Sequence, residues 1–369
     1  MGAQRETPGA TPVQDIRFCR SADGTGIAYA VHGSGPPLVI DACWLSHLQF
    51  DWQSPVWRHW LVELGRIATV IRFDERGHGL SDRDVTDHSL ELRIADLEAV
   101  VDHAGLERFA LLAMAQGGPV SIEYAVRHPE RVSRLIFHNS YAGALADATP
   151  EEIELDATFD SLIKVGWERP TPEFRRVFTS LMIPDATEEQ MRWLDELQRM
   201  AVTADTAVVA RAQRRTADVR HLLPLLDVPT LVLQCRDEKM NSFAQARHLA
   251  SHIEGARLVA LESKNHILLA DEPAWPHFVH EVDAFLEDDR AAAPTATKPA
   301  AEAVTGLLSA RELDVLRAAA LGRDNDTIAA ELHLSVRTVE RHLQNVYAKL
   351  GLQGRSARTA AVARLLAGA

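Results

Sequence analysis

Short apolar runs alternate with helix-sized segments over the part of the chain that precedes residue 287. The runs are rich in β-branched and aliphatic side chains, a pattern typical of parallel strands that are buried on both faces of a sheet. They predict an α/β fold with a doubly wound, mostly parallel sheet. The predicted strands are residues 38–40, 69–73, 109–114, 134–137, 230–233 and 257–261.

Two stretches of this region depart from the alternation. Near the N-terminus, two alternating runs flank the turn sequence Asp23-Gly24-Thr25-Gly26, which predicts an antiparallel hairpin at one edge of the sheet. Between about 141 and 226 the apolar residues recur with helical period and prolines interrupt them, without a good strand. We expect a helical insertion between two strands.

The C-terminal part of the chain has a different character. Residues 287–305 are rich in Ala, Pro and Thr and lack apolar periodicity, which predicts a linker, and residues 1–14 are expected to be disordered. Beyond the linker, Ser309 and Glu312 have the spacing of a capping box, and Ser335 is the predicted N-cap of a later helix. Residues 306–369 therefore predict a small all-α domain. The apolar stripe predicted for its third helix consists of Val339, Leu343, Val346 and Leu350.

Charge separates the two domains. The chain has a formal net charge of −13, which argues against nucleic-acid binding by the molecule as a whole. Residues 304–369, however, carry nine Lys and Arg against six Asp and Glu, so this tail is at +3 and the remainder at −16. The tail is the part suited to a phosphate backbone.

Several protein classes are not indicated. The three cysteines have no CxxC or Cys/His spacing, so we expect neither a disulfide framework nor a metal site, and no cofactor motif is apparent. No apolar run approaches the length of a membrane span, and the N-terminal residues lack the order of a signal peptide. We expect a soluble, cytoplasmic protein.

Residues 15–286 resemble the α/β-hydrolase family. The resemblance rests on the turn DERGHGLSD at 74–82, on the strand, turn and helix at 111–139, and on the segments 228–239 and 263–269. It implies a helical lid over about 141–226 and active-site residues in the order nucleophile, acid, histidine.

The nucleophile of that family is absent. Its elbow has the pattern G-x-S-x-G, whereas this chain has Ala113-Met114-Ala115-Gln116-Gly117. A methyl group at Ala115 cannot attack a carbonyl, and loss of the serine in such an enzyme costs about 10⁶ in turnover. We therefore expect no hydrolysis by the serine route, and predict a pseudoenzyme.

The remaining active-site positions survive in part. The resemblance places the acid at Glu238, with Asp237 as a rival one residue away, and the histidine at His266. The His-Gly expected after the third strand is replaced by Asp41-Ala42-Cys43-Trp44, a second departure from catalysis. An acid-held imidazole without a hydroxyl to activate can orient a ligand. The predicted ligand-binding residues are Cys43, Trp44, Ala115, Gln116 and His266.

The tail from 306 resembles the LuxR-type helix-turn-helix. That resemblance implies that the third helix enters the major groove of double-stranded DNA, with Arg337, Thr338 and Arg341 at bases or backbone and Lys349 at a phosphate. Gln344 lies on the same predicted face. The helix from Ser356 resembles the dimerisation helix of that family, which implies a homodimer.

Together these features predict a transcription regulator whose hydrolase-like domain senses a small-molecule effector. One alternative is an active hydrolase, tethered to a DNA-binding domain, that works through Cys43, a shifted serine or water activated by His266 and Glu238. Another is a regulator whose N-terminal domain serves only dimerisation or protein interaction.

Overall fold

An eight-stranded sheet forms the centre of the larger of two units, Met1–Arg290 and Ala291–Ala369. The computed structural model describes residues 13–41, 45–143, 149–292, 308–320, 323–349, 352, 358 and 361–362. The strand order is β1-β2-β4-β3-β5-β6-β7-β8. The strands are β1 (Asp15–Arg20), β2 (Gly26–Gly33), β3 (Pro37–Asp41), β4 (Thr69–Phe73), β5 (Phe109–Met114), β6 (Val132–His138), β7 (Thr230–Cys235) and β8 (Arg257–Leu261).

The pairing pattern confirms the predicted fold class. β2 runs antiparallel to β1 and β4, and every later pair is parallel. Each of the six predicted strands is present, and the hairpin lies at the edge as expected. The helices around the sheet are α1 (Leu48–Asp51), α2 (Arg58–Ile67), α3 (Leu90–His103), α4 (Gly117–Arg127), α9 (Phe243–His252) and α10 (Ala274–Ala292).

Four helices occupy the interval between β6 and β7, where the sequence predicts an insertion. They are followed by a short 3₁₀ helix, Arg220–Leu225. The four are α5 (Pro150–Gly166), α6 (Glu173–Met182), α7 (Glu188–Ala201) and α8 (Ala204–Arg215).

Both faces of the sheet are covered, which explains the continuous apolar strands. Along β5, Leu112 packs into a core with Trp60, and its neighbour Leu111 packs into a second core with Ile122 on the opposite face. Each buried side chain of this size contributes about 1.5–3 kcal/mol. A strand with apolar residues only at alternate positions would leave one of these cores unfilled.

The loop after β4 is held by two charged side chains whose roles are structural. Arg76 donates to both oxygens of Asp96, at 2.7 and 2.6 Å, and to Asp23 at 2.8 Å, which joins the hairpin turn to α3. Asp74 accepts the backbone N–H groups of Leu48 and Leu80.

The smaller unit contains three helices in the described residues, α11 (Ala310–Ala320), α12 (Asn325–Glu331) and α13 (Val336–Lys349). The Ser309 backbone N–H donates to Glu312 at 2.7 Å, as the capping box predicts. The Ser335 hydroxyl accepts the N–H of Thr338 at 3.1 Å. In α13 the predicted stripe is buried at Val339, Leu343 and Val346.

One predicted boundary differs from the structure. α10 continues to Ala292, six residues into the segment predicted as linker, because Ala291 and Ala292 favour helix once a preceding turn exists. In the smaller unit Asp324 caps α12 by accepting the Thr327 N–H at 2.9 Å. Residues 1–12 of the segment 1–14 that is predicted to be disordered lie outside the described residues, as do residues 293–305, Leu350 and most of the predicted dimerisation helix.

Candidate functional site

The turn between β5 and α4 keeps the shape of a nucleophile elbow. Ala115 has φ +46°, a left-handed conformation that costs a residue with a side chain about 1–2 kcal/mol. Its N–H donates to His138 O at 3.1 Å, and its carbonyl accepts the Ser140 hydroxyl at 2.5 Å. A Cβ at Gly118 would lie 2.1 Å from the Tyr141 carbonyl, so the turn needs glycine there. The elbow is therefore intact, with a buried methyl where the hydroxyl would be.

The acid and the histidine of the resemblance are brought together. Glu238 follows β7, and its carboxylate accepts the backbone N–H groups of Met240 at 2.6 Å and Asn241 at 2.8 Å. His266 Nδ1 lies 3.3 Å from Glu238 Oε2, and both side chains are buried. Asp237 is exposed. Glu238, not its rival, is the partner of the imidazole.

Asn139, which the sequence analysis missed, ties these elements to one another. Its side-chain amide donates to the His266 carbonyl at 2.8 Å, and its oxygen accepts the Cys235 N–H at 2.7 Å. Asn139 also has φ +46°. Asparagine is among the few residues enriched at positive φ, so its place directly after β6 was the available signal.

A small cavity of about 50 Å³ lies next to the elbow. It has room for a few water molecules, far less than the 300–1,000 Å³ of an ordinary ligand site. Cys43 and Trp44 lie outside the described residues, so their predicted role is not placed. The cavity is lined by Ile40, Leu45, Ser46, Asp51, Trp57, Trp60, Leu61, Arg72 and Met114.

A buried ion pair forms part of the cavity wall. Arg72 Nη1 lies 3.2 Å from Asp51 Oδ2, and Arg72 also donates to the Leu48 carbonyl at 2.6 Å. Burial raises the pKa of Asp51 to about 7, against the lowering effect of Arg72. A wider open depression of about 530 Å³ lies along α9, but no elbow or acid–histidine residue lines it.

On the other side of the elbow two arginines share one carboxylate. Arg93 on α3 donates to Glu75 at 2.8 Å and to the Gln116 carbonyl at 3.2 Å, while Arg214 on α8 contacts the second oxygen of Glu75. Burial alone would raise the pKa of Glu75, but Arg214 and Arg93 together lower it to about 2. Gln116 is buried beside them at the first position before α4, where its side chain makes no capping hydrogen bond.

The predicted DNA-reading residues share one exposed face of α13. Arg337, Arg341 and Gln344 are exposed, and Thr338 is half-buried with its hydroxyl 2.7 Å from that of Ser335. Lys349 Nζ lies 2.7 Å from Glu312 Oε2, in the cap of α11. The roles of the first four at DNA, and of Lys349 at a phosphate, stay predictions.

Other chemistry finds little support in the described part of the chain. No group of three or more His, Cys, Asp and Glu there could hold a metal ion. Burial raises the pKa of Cys235 to about 12, which removes it as a nucleophile at neutral pH. No helix among the described residues is long and apolar enough to cross a membrane.

Comparisons with known proteins match both units. A family model described as the alpha/beta hydrolase fold matches residues 45–273, and one described as bacterial regulatory proteins of the luxR family matches residues 306–362. The chain is 27% identical to RutD of Azorhizobium caulinodans, a candidate carbamate hydrolase, over 66% of this chain and 89% of that protein. It is 24% identical to 3-oxoadipate enol-lactonase 2 of Acinetobacter baylyi, over 75% of this chain and 98% of that protein.

Solved structures show the same fold for the larger unit. A hydrolase from Pseudomonas aeruginosa PA01 superposes with a TM-score of 0.61 at 23% identity, covering 74% of this chain and 98% of that one.

Proposed function

Because the chain belongs to the alpha/beta hydrolase fold family over residues 45–273 and carries a luxR-family domain over residues 306–362, we propose that it is a DNA-binding regulator whose hydrolase domain binds a small-molecule effector without serine catalysis. The observation that carries this proposal is Ala115, a methyl group at the tip of an otherwise intact elbow.

Among the described residues, three neighbouring hydroxyl and thiol groups are poorly suited to replace the missing hydroxyl. The Ser140 hydroxyl donates to the Ala115 carbonyl, and the Ser121 hydroxyl donates to Asp41 at 2.9 Å. Cys235 is held in its thiol form by burial. In a hydrolase that works by acyl transfer, a nucleophile must be activated and close to the base.

The remaining features favour ligand binding. The Glu238–His266 pair keeps an oriented imidazole in a buried setting, and Trp57 and Trp60 supply an apolar wall beside the elbow. Because the cavity is small, a ligand of ordinary size requires the residues around it to move. Such a movement, transmitted to a homodimer of DNA-binding domains, changes DNA affinity if the ligand prefers one state.

The full chain tests this proposal. Small esters, acids and amides are screened for a shift of the unfolding temperature, and each compound that shifts it is added to a DNA-binding titration. We expect a compound that stabilises the protein, changes DNA affinity and is recovered unchanged by mass spectrometry. His266→Gln should weaken its binding, whereas His252→Gln, at an exposed position of α9, should not. Conversion of the compound by the protein would contradict the proposal.

An active hydrolase is the second candidate, favoured by the buried Glu238–His266 pair and by the enzymes among the relatives. In that case His266 would activate water directly. Turnover of a chromogenic ester that is abolished by His266→Ala would establish it; our proposal expects no turnover above the buffer rate. If no compound shifts unfolding while DNA binding is intact, the N-terminal domain serves dimerisation or protein contacts.

A further inference from the structure

Two buried guanidinium groups meet beside the elbow, from different layers of the larger unit. Arg93 belongs to α3, which packs on the sheet, and Arg214 belongs to α8 of the insertion. Each side chain is only 4% exposed, and both pair with the single carboxylate of Glu75. Buried cations of this kind are costly unless each has its counter-charge and its hydrogen-bond acceptors.

The two arginines and the neighbouring Gln116 have more hydrogen-bond donors than acceptors. Arg93 Nε, Arg214 Nε, Arg214 Nη1 and Gln116 Nε2 are buried and have no hydrogen-bond partner within the part of the chain that the structure describes. Most buried polar side-chain atoms in proteins have a hydrogen-bond partner, so four unpaired donors on three residues linked by shared contacts are suited to an acceptor from outside the chain.

The other groups nearby do not fill this role. Asp41 influences Arg93 electrostatically, but its Oδ2 accepts the Ser121 hydroxyl at 2.9 Å. Burial lowers the pKa of His78 to about 3 and that of His88 to about 4, so both imidazoles are neutral at pH 7 and add no charge. Among the groups in ion-pair contact, two cations therefore face one anion.

We propose that the effector is a carboxylic acid whose carboxylate binds Arg93, Arg214 and the Gln116 amide; this rests on the proposed function and names its ligand chemistry. A carboxylate is acceptor-only and matches the planar fork of a guanidinium.

Gln116 connects the arginines to the elbow. Its backbone carbonyl accepts Arg93 Nη2 at 3.2 Å, and it directly follows Ala115 at the tip of the turn. The proposed anion site therefore lies next to the residue that replaces the nucleophile.

The two arginines also give the ligand a way to act. Because Arg214 lies on α8 and Arg93 on α3, a carboxylate between them bridges the insertion and the sheet layer. Binding then stabilises one position of the insertion over others.

Calorimetric titration of the full chain tests the inference. The probes are monocarboxylates from acetate to phenylacetate, each paired with its primary amide, and inorganic phosphate. We expect at least one acid to bind about 10-fold or more tighter than its amide, since charge-assisted hydrogen bonds are roughly twice as strong as neutral ones. Arg214→Gln should remove that preference. Arg215→Gln, the next residue on α8, loses contacts to Asp156 and Asp160 instead and should leave affinity within about 2-fold.

The outcomes separate this inference from the function on which it rests. If amides or esters bind as well as acids and change DNA affinity, the carboxylate assignment is wrong and the sensing role stands. If phosphate binds in place of the acids, or if no acid binds, the assignment is likewise overturned. If Arg214→Gln fails to fold, Arg214→Lys replaces it, since lysine keeps the positive charge but lacks the planar guanidinium. The inference requires that Arg214→Lys weaken the binding of acids more than the binding of amides.

Discussion

His266 Nδ1 lies 3.3 Å from Glu238 Oε2, so the histidine and the acid predicted from the resemblance are paired although Ala115 stands at the nucleophile position. Glu238 is held by two backbone N–H groups, and Asn139 holds the His266 carbonyl. The pairing therefore depends on the surrounding fold and not on a nucleophile.

Restoring the hydroxyl should create an esterase. Ala115→Ser places a nucleophile on an elbow that already has φ +46°, in a chain that keeps the Glu238–His266 pair. Since loss of the serine costs about 10⁶ in turnover, we expect at least about 10²-fold more hydrolysis of p-nitrophenyl acetate than with the unaltered chain. Adding His266→Ala should remove the gain. A variant that folds and stays inactive would show that the base or the oxyanion site is misplaced.

Glu75 should contribute strongly to stability above pH 4. Glu75→Gln leaves two buried guanidiniums without a counter-charge, which costs about 3–5 kcal/mol in the free energy of unfolding at pH 7. The exposed pair of Glu91 and Arg127 provides the matched control, and Glu91→Gln should cost no more than about 1 kcal/mol. Urea titrations measure both.

The pH dependence of that difference follows from the pKa of Glu75. Its folded pKa of about 2 is below the unfolded value of about 4.3, so its stabilisation is fully present above about pH 4.3. It is lost as the pH falls from there through 2. The gap between the unaltered chain and Glu75→Gln should narrow over this window, and a gap that does not change with pH would contradict the assignment.

Arg341 should contribute to DNA affinity. It is exposed on α13 with Arg337, on the face opposite the buried Val339 and Leu343. Arg341→Ala should weaken operator binding by about 10- to 100-fold if it reads a base, or lower the salt slope by about 1 if it contacts a phosphate. Arg317→Ala, exposed on α11, is the control. Equal effects of the two variants would mean that only net charge matters.

A glycine at position 333 should stabilise the smaller unit. His333 has φ +51° in the turn between α12 and α13, and its side chain is exposed. His333→Gly should raise the free energy of local unfolding by about 0.5–1 kcal/mol, because glycine adopts this conformation without strain. Hydrogen exchange of residues 325–349 measures it. Ala330→Gly, inside α12, should act in the opposite direction.

The sheet and the elbow could be predicted because local sequence determines them. Strands buried on both faces need uninterrupted apolar runs, and the left-handed turn needs small residues at Gly117 and Gly118, so both leave continuous signals. The sequence left two adjacent candidates for the acid, Glu238 and Asp237, because a shift of one residue still places a carboxylate at that position. Only the burial of Glu238 in the structure distinguishes them.

The arginine cluster could not be predicted in this way. Arg93 and Arg214 lie on helices far apart in sequence, and a single arginine on a helix has the pattern of a solvent-facing residue. Their meeting depends on how α8 packs against the loop after β4, where Glu75 lies. Asn139 is similar, since its contacts to His266 and Cys235 arise from three separate strand ends.

The methyl group of Ala115 also determines how long any signal lasts. A serine at this position would form an acyl bond with an ester and hold it until water cleaved the bond, consuming the compound. Alanine forms no bond, so a ligand beside it leaves by dissociation alone. The fraction of protein with ligand bound then rises and falls with the ligand concentration. How quickly it falls is set only by the dissociation rate.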